Sequence, residues 1–124
     1  MKGLQRLAAC LLALCVGLLP IAVAGVDIER LMAGAADMMR EAETIANKLG
    51  ITFKLGIERR IAGAEKVGAH KTSMLQDLER SRPMEIDPLV TVVQEMGTLS
   101  KIPTPSIDIV LALVAQRAKI AELY

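Results

Sequence analysis

Aromatic residues are almost missing: the 124-residue chain has one Tyr, one Phe and no Trp. A core must therefore be assembled from Leu, Ile, Val, Ala and Met, a set that favours helices over strands. No stretch of any length alternates apolar and polar residues, so the sequence predicts an all-α domain. Charge of one sign is also missing. Fifteen basic residues face fourteen acidic ones, a formal net charge of +1, and nucleic-acid binding needs a concentrated basic face instead. There is one histidine, His70, and there are two cysteines, Cys10 and Cys15, both inside the first apolar run. That inventory excludes the usual zinc site, a Cys–His nucleophile pair and a disulfide framework. Neither G-x-G-x-x-G nor a P-loop occurs, so this chain carries no standard phosphate cradle for a nucleotide.

What is present falls into two parts. Residues 1–25, "MKGLQRLAACLLALCVGLLPIAVAG", form an apolar segment with Lys2 and Arg6 at its start. It closes on Ala22-Val23-Ala24, the pattern of a cleavable secretory signal. The run from Leu7 to Gly25 is also nearly the roughly 20 residues needed to cross a bilayer. Export, membrane attachment through residues 7–25 and a buried apolar helix all remain open on these residues. Residues 26–124 read as a helical domain.

In that domain Asp27 is placed to cap a helix whose apolar stripe is Leu31, Ala35, Met38, Met39, Ala42, Ile45 and Leu49, ending at Gly50. A link at residues 51–55 leads to a shorter helix ending near Val67. Thr72 or Ser73 caps the next one, and Ser73 with Gln76 has capping-box spacing. Arg82-Pro83 ends that helix. Asp87-Pro88 starts another, with Asp87 as cap, Pro88 in the first turn and a stripe of Leu89, Val92, Val93, Met96 and Leu99. Thr104-Pro105 starts the last, running through Ile109, Leu111, Leu113 and Val114 to about Ala121. Gly63, Gly68 and Gly97 read as helix punctuation.

"GAHKTSMLQDLERSRPMEID" followed by "KIPTPSIDIVLALV" closely resembles the C-terminal domain of ketopantoate reductase (2-dehydropantoate 2-reductase). The resemblance runs from about Asp27 to the end of the chain. It rests on S-M-L-Q-D, E-I-D and P-T-P occurring together and in order. It implies an all-helical domain of the ketopantoate reductase and 6-phosphogluconate dehydrogenase-like type. It also implies NADPH-dependent reduction of ketopantoate to pantoate, on the route to pantothenate, in the cytoplasm. By the same resemblance, Ser73 is the serine that hydrogen-bonds substrate. Glu85 is the glutamate that contacts substrate and sets the catalytic arrangement, and Asp77 is an acid beside the cleft.

Two elements of that family's pattern are lacking in these 124 residues. One is the glycine-rich Rossmann domain. The other is the general-acid lysine, with its neighbouring asparagines, expected where the apolar segment stands. The expectation is therefore a truncated substrate-side domain, inactive alone and binding no NADPH by itself. The alternative is an exported or membrane-tethered helical module that kept the scaffold without the chemistry. An isolated domain would expose an apolar face, and a homodimer is expected through that face or through the apolar N-terminal helix.

Overall fold

A computed structural model describes residues 28–67 and 71–124, and among them every regular element is helical. Five α-helices follow in order: α1 (Ile28–Lys48), α2 (Ile57–Val67), α3 (Ser73–Glu79), α4 (Val92–Ser100) and α5 (Pro105–Ile120). A π-helical turn over Asp87–Thr91 leads directly into α4. The all-α expectation holds. The apolar segment, the proposed Asp27 cap, His70 and Gly68 lie outside the described residues.

Helix α1 is the spine, and it packs against α2, α4 and α5. Its apolar residues form two faces, where the sequence suggested one stripe. Ala35, Met38 and Ile45 join the main core with Met74, Ile86, Val90, Val93, Ile107 and Ala118. Ala36 and Met39, one position on, turn towards Ile57 and Ile61 of α2. Adjacent residues point about 100° apart on a helix, so neighbouring methionines serve different partners. Burying side chains such as Ile45, Ile86 and Ile107 stabilises by about 1.5–3 kcal/mol each.

Several predicted core positions lie outside this core. Leu49, Leu99, Ile109 and Leu113 are all exposed, Leu99 by 83%. The wholly buried residues of the same segments are Ala46, Val90, Ile107 and Ala118. Helix α5 is apolar on both sides, so periodicity could not say which side faces inward.

Helix ends follow one pattern with unexpected residues. After α1, Gly50 takes φ +77°, its N–H bonds Asn47 O, and Ile51 N–H bonds Ala46 O. The same pair of bonds closes α3, α4 and α5, with left-handed Ser81, Lys101 and Glu122 where glycine is usual. This is the Schellman arrangement, which satisfies the last carbonyls of each helix. Only the first carried its glycine signal in the sequence.

Gly97 lies inside α4 and is buried, so it is not punctuation. A Cβ there would sit 2.7 Å from the Thr104 methyl, 3.0 Å from the Ile102 carbonyl oxygen and 3.3 Å from Ile45 Cδ1. The glycine lets α4 approach the turn that leads into α5. That helix start is capped from a distance. Thr104 is the N-cap residue, but its hydroxyl donates to Asp108 (2.9 Å) and makes no capping bond to the backbone. Instead the Glu41 carboxylate, on α1, accepts the Ser106 N–H (2.8 Å) and the Ile107 N–H (3.0 Å). A carboxylate at a helix N-terminus gains from both hydrogen bonds and the dipole.

Two consequences can be measured by urea unfolding. Glu41→Ala strands two part-buried donors and should cost about 1–3 kcal/mol. Gly97→Ala gains up to about 1 kcal/mol in helix propensity. It meets a backbone carbonyl and a tied threonine, however, and overpacking costs about 1–3 kcal/mol, so the net should be destabilising.

Candidate functional site

The residues singled out by sequence sit on α3 and the loop after it. Thr72, buried, is the N-cap of α3: its hydroxyl accepts the Leu75 N–H at 3.2 Å. Ser73 is therefore the first helical residue and not the cap. The predicted capping box gives way to a different bond, since Gln76 Nε2 donates to the Lys71 carbonyl at 3.0 Å. Relieved of capping, Ser73 is exposed and makes no hydrogen bond to any described residue.

Asp77 is committed elsewhere. Its carboxylate pairs with the Arg82 guanidinium at 2.7 Å, tying α3 to the loop that follows. Lys71 spans the same helix from outside, its ammonium 2.7 and 2.8 Å from the two Glu79 carboxylate oxygens. Both pairs reach solvent, where ion pairs contribute about 0–1 kcal/mol. They orient the short helix more than they stabilise it.

Glu85 occupies the centre of a γ-turn, with Ile86 N–H bonding Met84 O at 2.9 Å. Its side chain is exposed and has no partner among the described residues. Ser73 and Glu85 share a construction: each precedes a core residue, Met74 or Ile86, and those two belong to one cluster. Packing that fixes Met74 and Ile86 thus fixes both polar neighbours. Asp77 stays occupied by Arg82.

Asp87 was read as a helix cap, but it lies within the first helical turn, where Ile86 is already helical. Its carboxylate accepts the Thr91 hydroxyl at 2.8 Å and the Tyr124 hydroxyl at 2.7 Å. Tyr124, the chain's one tyrosine, was not among the sequence candidates. The Tyr124 bond, then the Thr91 bond, favours the ionised form and holds the Asp87 carboxyl below its ordinary pKa. The same Asp87 bond pushes the Tyr124 phenol above its own ordinary value.

A separate open concavity of about 400 Å³ lies between α4 and the start of α5, lined by Gln94, Gly97, Lys101, Thr104 and Asp108 among others. Asp108 accepts Gln94 Nε2 at 2.7 Å there. None of Ser73, Asp77 or Glu85 reaches it.

Residues 8–118 match the family described as ketopantoate reductase PanE/ApbA C terminal. The chain belongs to this family. The match begins at residue 8 and so takes in most of the apolar segment. A 2-dehydropantoate 2-reductase of Mesorhizobium japonicum is 62% identical over 84 residues, which are 68% of this chain and 26% of that protein. The chain thus spans about a quarter of that relative's length. A ketopantoate reductase structure from Ralstonia solanacearum MolK2 superposes with TM-score 0.78 at 32% identity, over 98% of this chain and 37% of that one. D-mandelate dehydrogenase, solved with NADH and anilino(oxo)acetate, shares the fold at TM-score 0.76 and 19% identity. It is covered over 98% of this chain and 70% of its own length.

No described helix of the ketopantoate reductase domain is long and apolar enough to cross a membrane. The segment proposed for membrane attachment or export lies outside the described residues.

Asp87 sets a direction for pH dependence. With the folded pKa below the unfolded one, its contribution is present above the unfolded value. It is lost as pH falls through the folded value, below about pH 4. For Tyr124, raised on folding, the contribution is present below about pH 10 and is lost above. The stability gap between wild type and Asp87→Asn, read from urea midpoints, should narrow from pH 5 towards about pH 2. A gap independent of pH would show that the carboxylate's charge plays no part.

Proposed function

We propose that this chain is the substrate-side helical domain of a 2-dehydropantoate 2-reductase, acting on ketopantoate with NADPH held by another domain. The observation that carries the reading is the 62% identity to the Mesorhizobium japonicum reductase. Two free side chains support it. The Ser73 and Glu85 side chains are exposed, without a partner among the described residues, and beside neighbours in one core, as groups that must meet a small 2-oxo acid should be.

In this reading Ser73 donates to a substrate oxygen, and Glu85 contacts substrate and orders the reacting groups. Asp77 serves beside the cleft through its pairing with Arg82. The described residues do not fit the cofactor itself. They are all-helical in their regular elements and lack a glycine-rich strand–helix turn for the pyrophosphate. In this reading NADPH is held by the other domain. A protein of this kind would work in the cytoplasm. The reading also includes homodimer contact through the exposed Ile109, Leu113 and Ile120 face of α5.

The test is NADPH consumption with ketopantoate. The chain alone should give none. Fused to the dinucleotide-binding domain of the Mesorhizobium japonicum relative, with that relative's first C-terminal-domain helix supplied, it should give ketopantoate-dependent turnover. In the fusion, Glu85→Gln should lower kcat/KM by about 100-fold or more. Ser73→Ala should raise KM by about tenfold, the value of one substrate hydrogen bond. Turnover by the chain alone, or a fusion indifferent to both substitutions, would refute the assignment.

A further inference from the structure

After α5 the chain reverses at Glu122, whose φ is +58°. Leu123 then returns its N–H to Ala118 O at 2.9 Å and buries its side chain. From there the last two residues reach the loop that carries Glu85. The Leu123 carbonyl accepts the Met84 N–H at 3.0 Å. The Tyr124 hydroxyl donates to Asp87 at 2.7 Å, while the Lys119 ammonium lies 5.4 Å from the centre of the Tyr124 ring. The two contacts grip the chain just before and two residues after Glu85. The Glu85 side chain makes no hydrogen bond or ion pair with any described residue.

We propose that Leu123 and Tyr124 form a latch that fixes the γ-turn presenting Glu85, which makes Tyr124 a positioning residue for that carboxylate. The functional part of this statement rests on the reductase reading, while the latch is a property of the chain.

The geometry gives the reason. A loop without regular structure from Arg82 to Glu85 has only one wholly buried side chain at its far end, Ile86. The Asp77–Arg82 pair and the buried Ile86 hold the two ends of the loop, and the tail's contacts flanking Glu85 remove the freedom left between them. A carboxylate whose work requires an unpaired side chain must be held through its backbone instead. The tail supplies that hold from a helix remote in sequence, without touching the group it orients.

Amide hydrogen exchange and NMR relaxation on the 124-residue chain test the latch without any substrate. Tyr124→Phe keeps the ring and removes only the hydroxyl. It should speed exchange at Met84 and Ile86 by about tenfold and lower the Glu85 amide order parameter from about 0.85 towards 0.6. Ile45 and Val93, in the main core, should exchange at the wild-type rate. Asp87→Ala should reproduce the effect, and the Tyr124→Phe/Asp87→Ala double variant should exchange no faster than Asp87→Ala alone. Unchanged rates at Met84 and Ile86, equal acceleration at Ile45 and Val93, or additive effects in the double variant would each overturn the latch. Its failure would leave the fusion assay for the reductase reading intact, and the reverse holds equally.

Discussion

A helix that starts inside a folded domain must find partners for its first N–H groups. In this domain the partner is Glu41, some sixty-five residues earlier in the chain. Its carboxylate joins the spine helix α1 to the start of α5, and the rest of the packing follows. With that corner held, α4 crosses close enough for Gly97 to be required. Thr104 is freed to bond Asp108, and Asp108 in turn takes Gln94 from α4. One side chain thus sets the register among three helices. It does so at part-buried positions, where an unpaired donor is costly.

The second organising feature is how the helices end. Ser81, Lys101 and Glu122 all adopt a left-handed conformation that opposes their Cβ atoms. Each is followed by a residue whose N–H closes the helix from outside, and in the last case that residue is the buried Leu123. Hydrogen bonds and burial outweigh the local conformational cost. The reversal at Ser81 bears on the candidate site. It turns the chain from α3 into the loop carrying Glu85, while the Asp77–Arg82 pair spans the same reversal.

The candidate site has little covering of its own. Ser73 and Glu85 stand at the edge of the main core, each beside a buried residue. That arrangement suits a domain presenting one wall of a cleft: rigid below, open above. It also explains why the polar stretch from Lys71 to Asp87 carries so many charges. Four of them, Lys71, Glu79, Asp77 and Arg82, serve two ion pairs that orient α3, while Arg80 and Glu85 have no ion-pair partner among the described residues.

Much of this was legible in order and little of it in orientation. The scarcity of aromatics, the helical periodicity and the Pro and Gly punctuation were enough for an all-helical domain with roughly the observed elements. The joint occurrence of S-M-L-Q-D, E-I-D and P-T-P was enough for the family. These are local signals, and each acts within a turn or two of chain. The inward side of α5, the exposure of Leu99, the need for Gly97, the Glu41 cap and the Tyr124–Asp87 bond are contacts between distant segments. Periodicity cannot choose between two apolar faces, and a carboxylate in a helix gives no sign of the N–H groups it will meet. Those choices were made only when the helices packed, because burial and hydrogen-bond satisfaction are decided by neighbours that the local sequence does not contain.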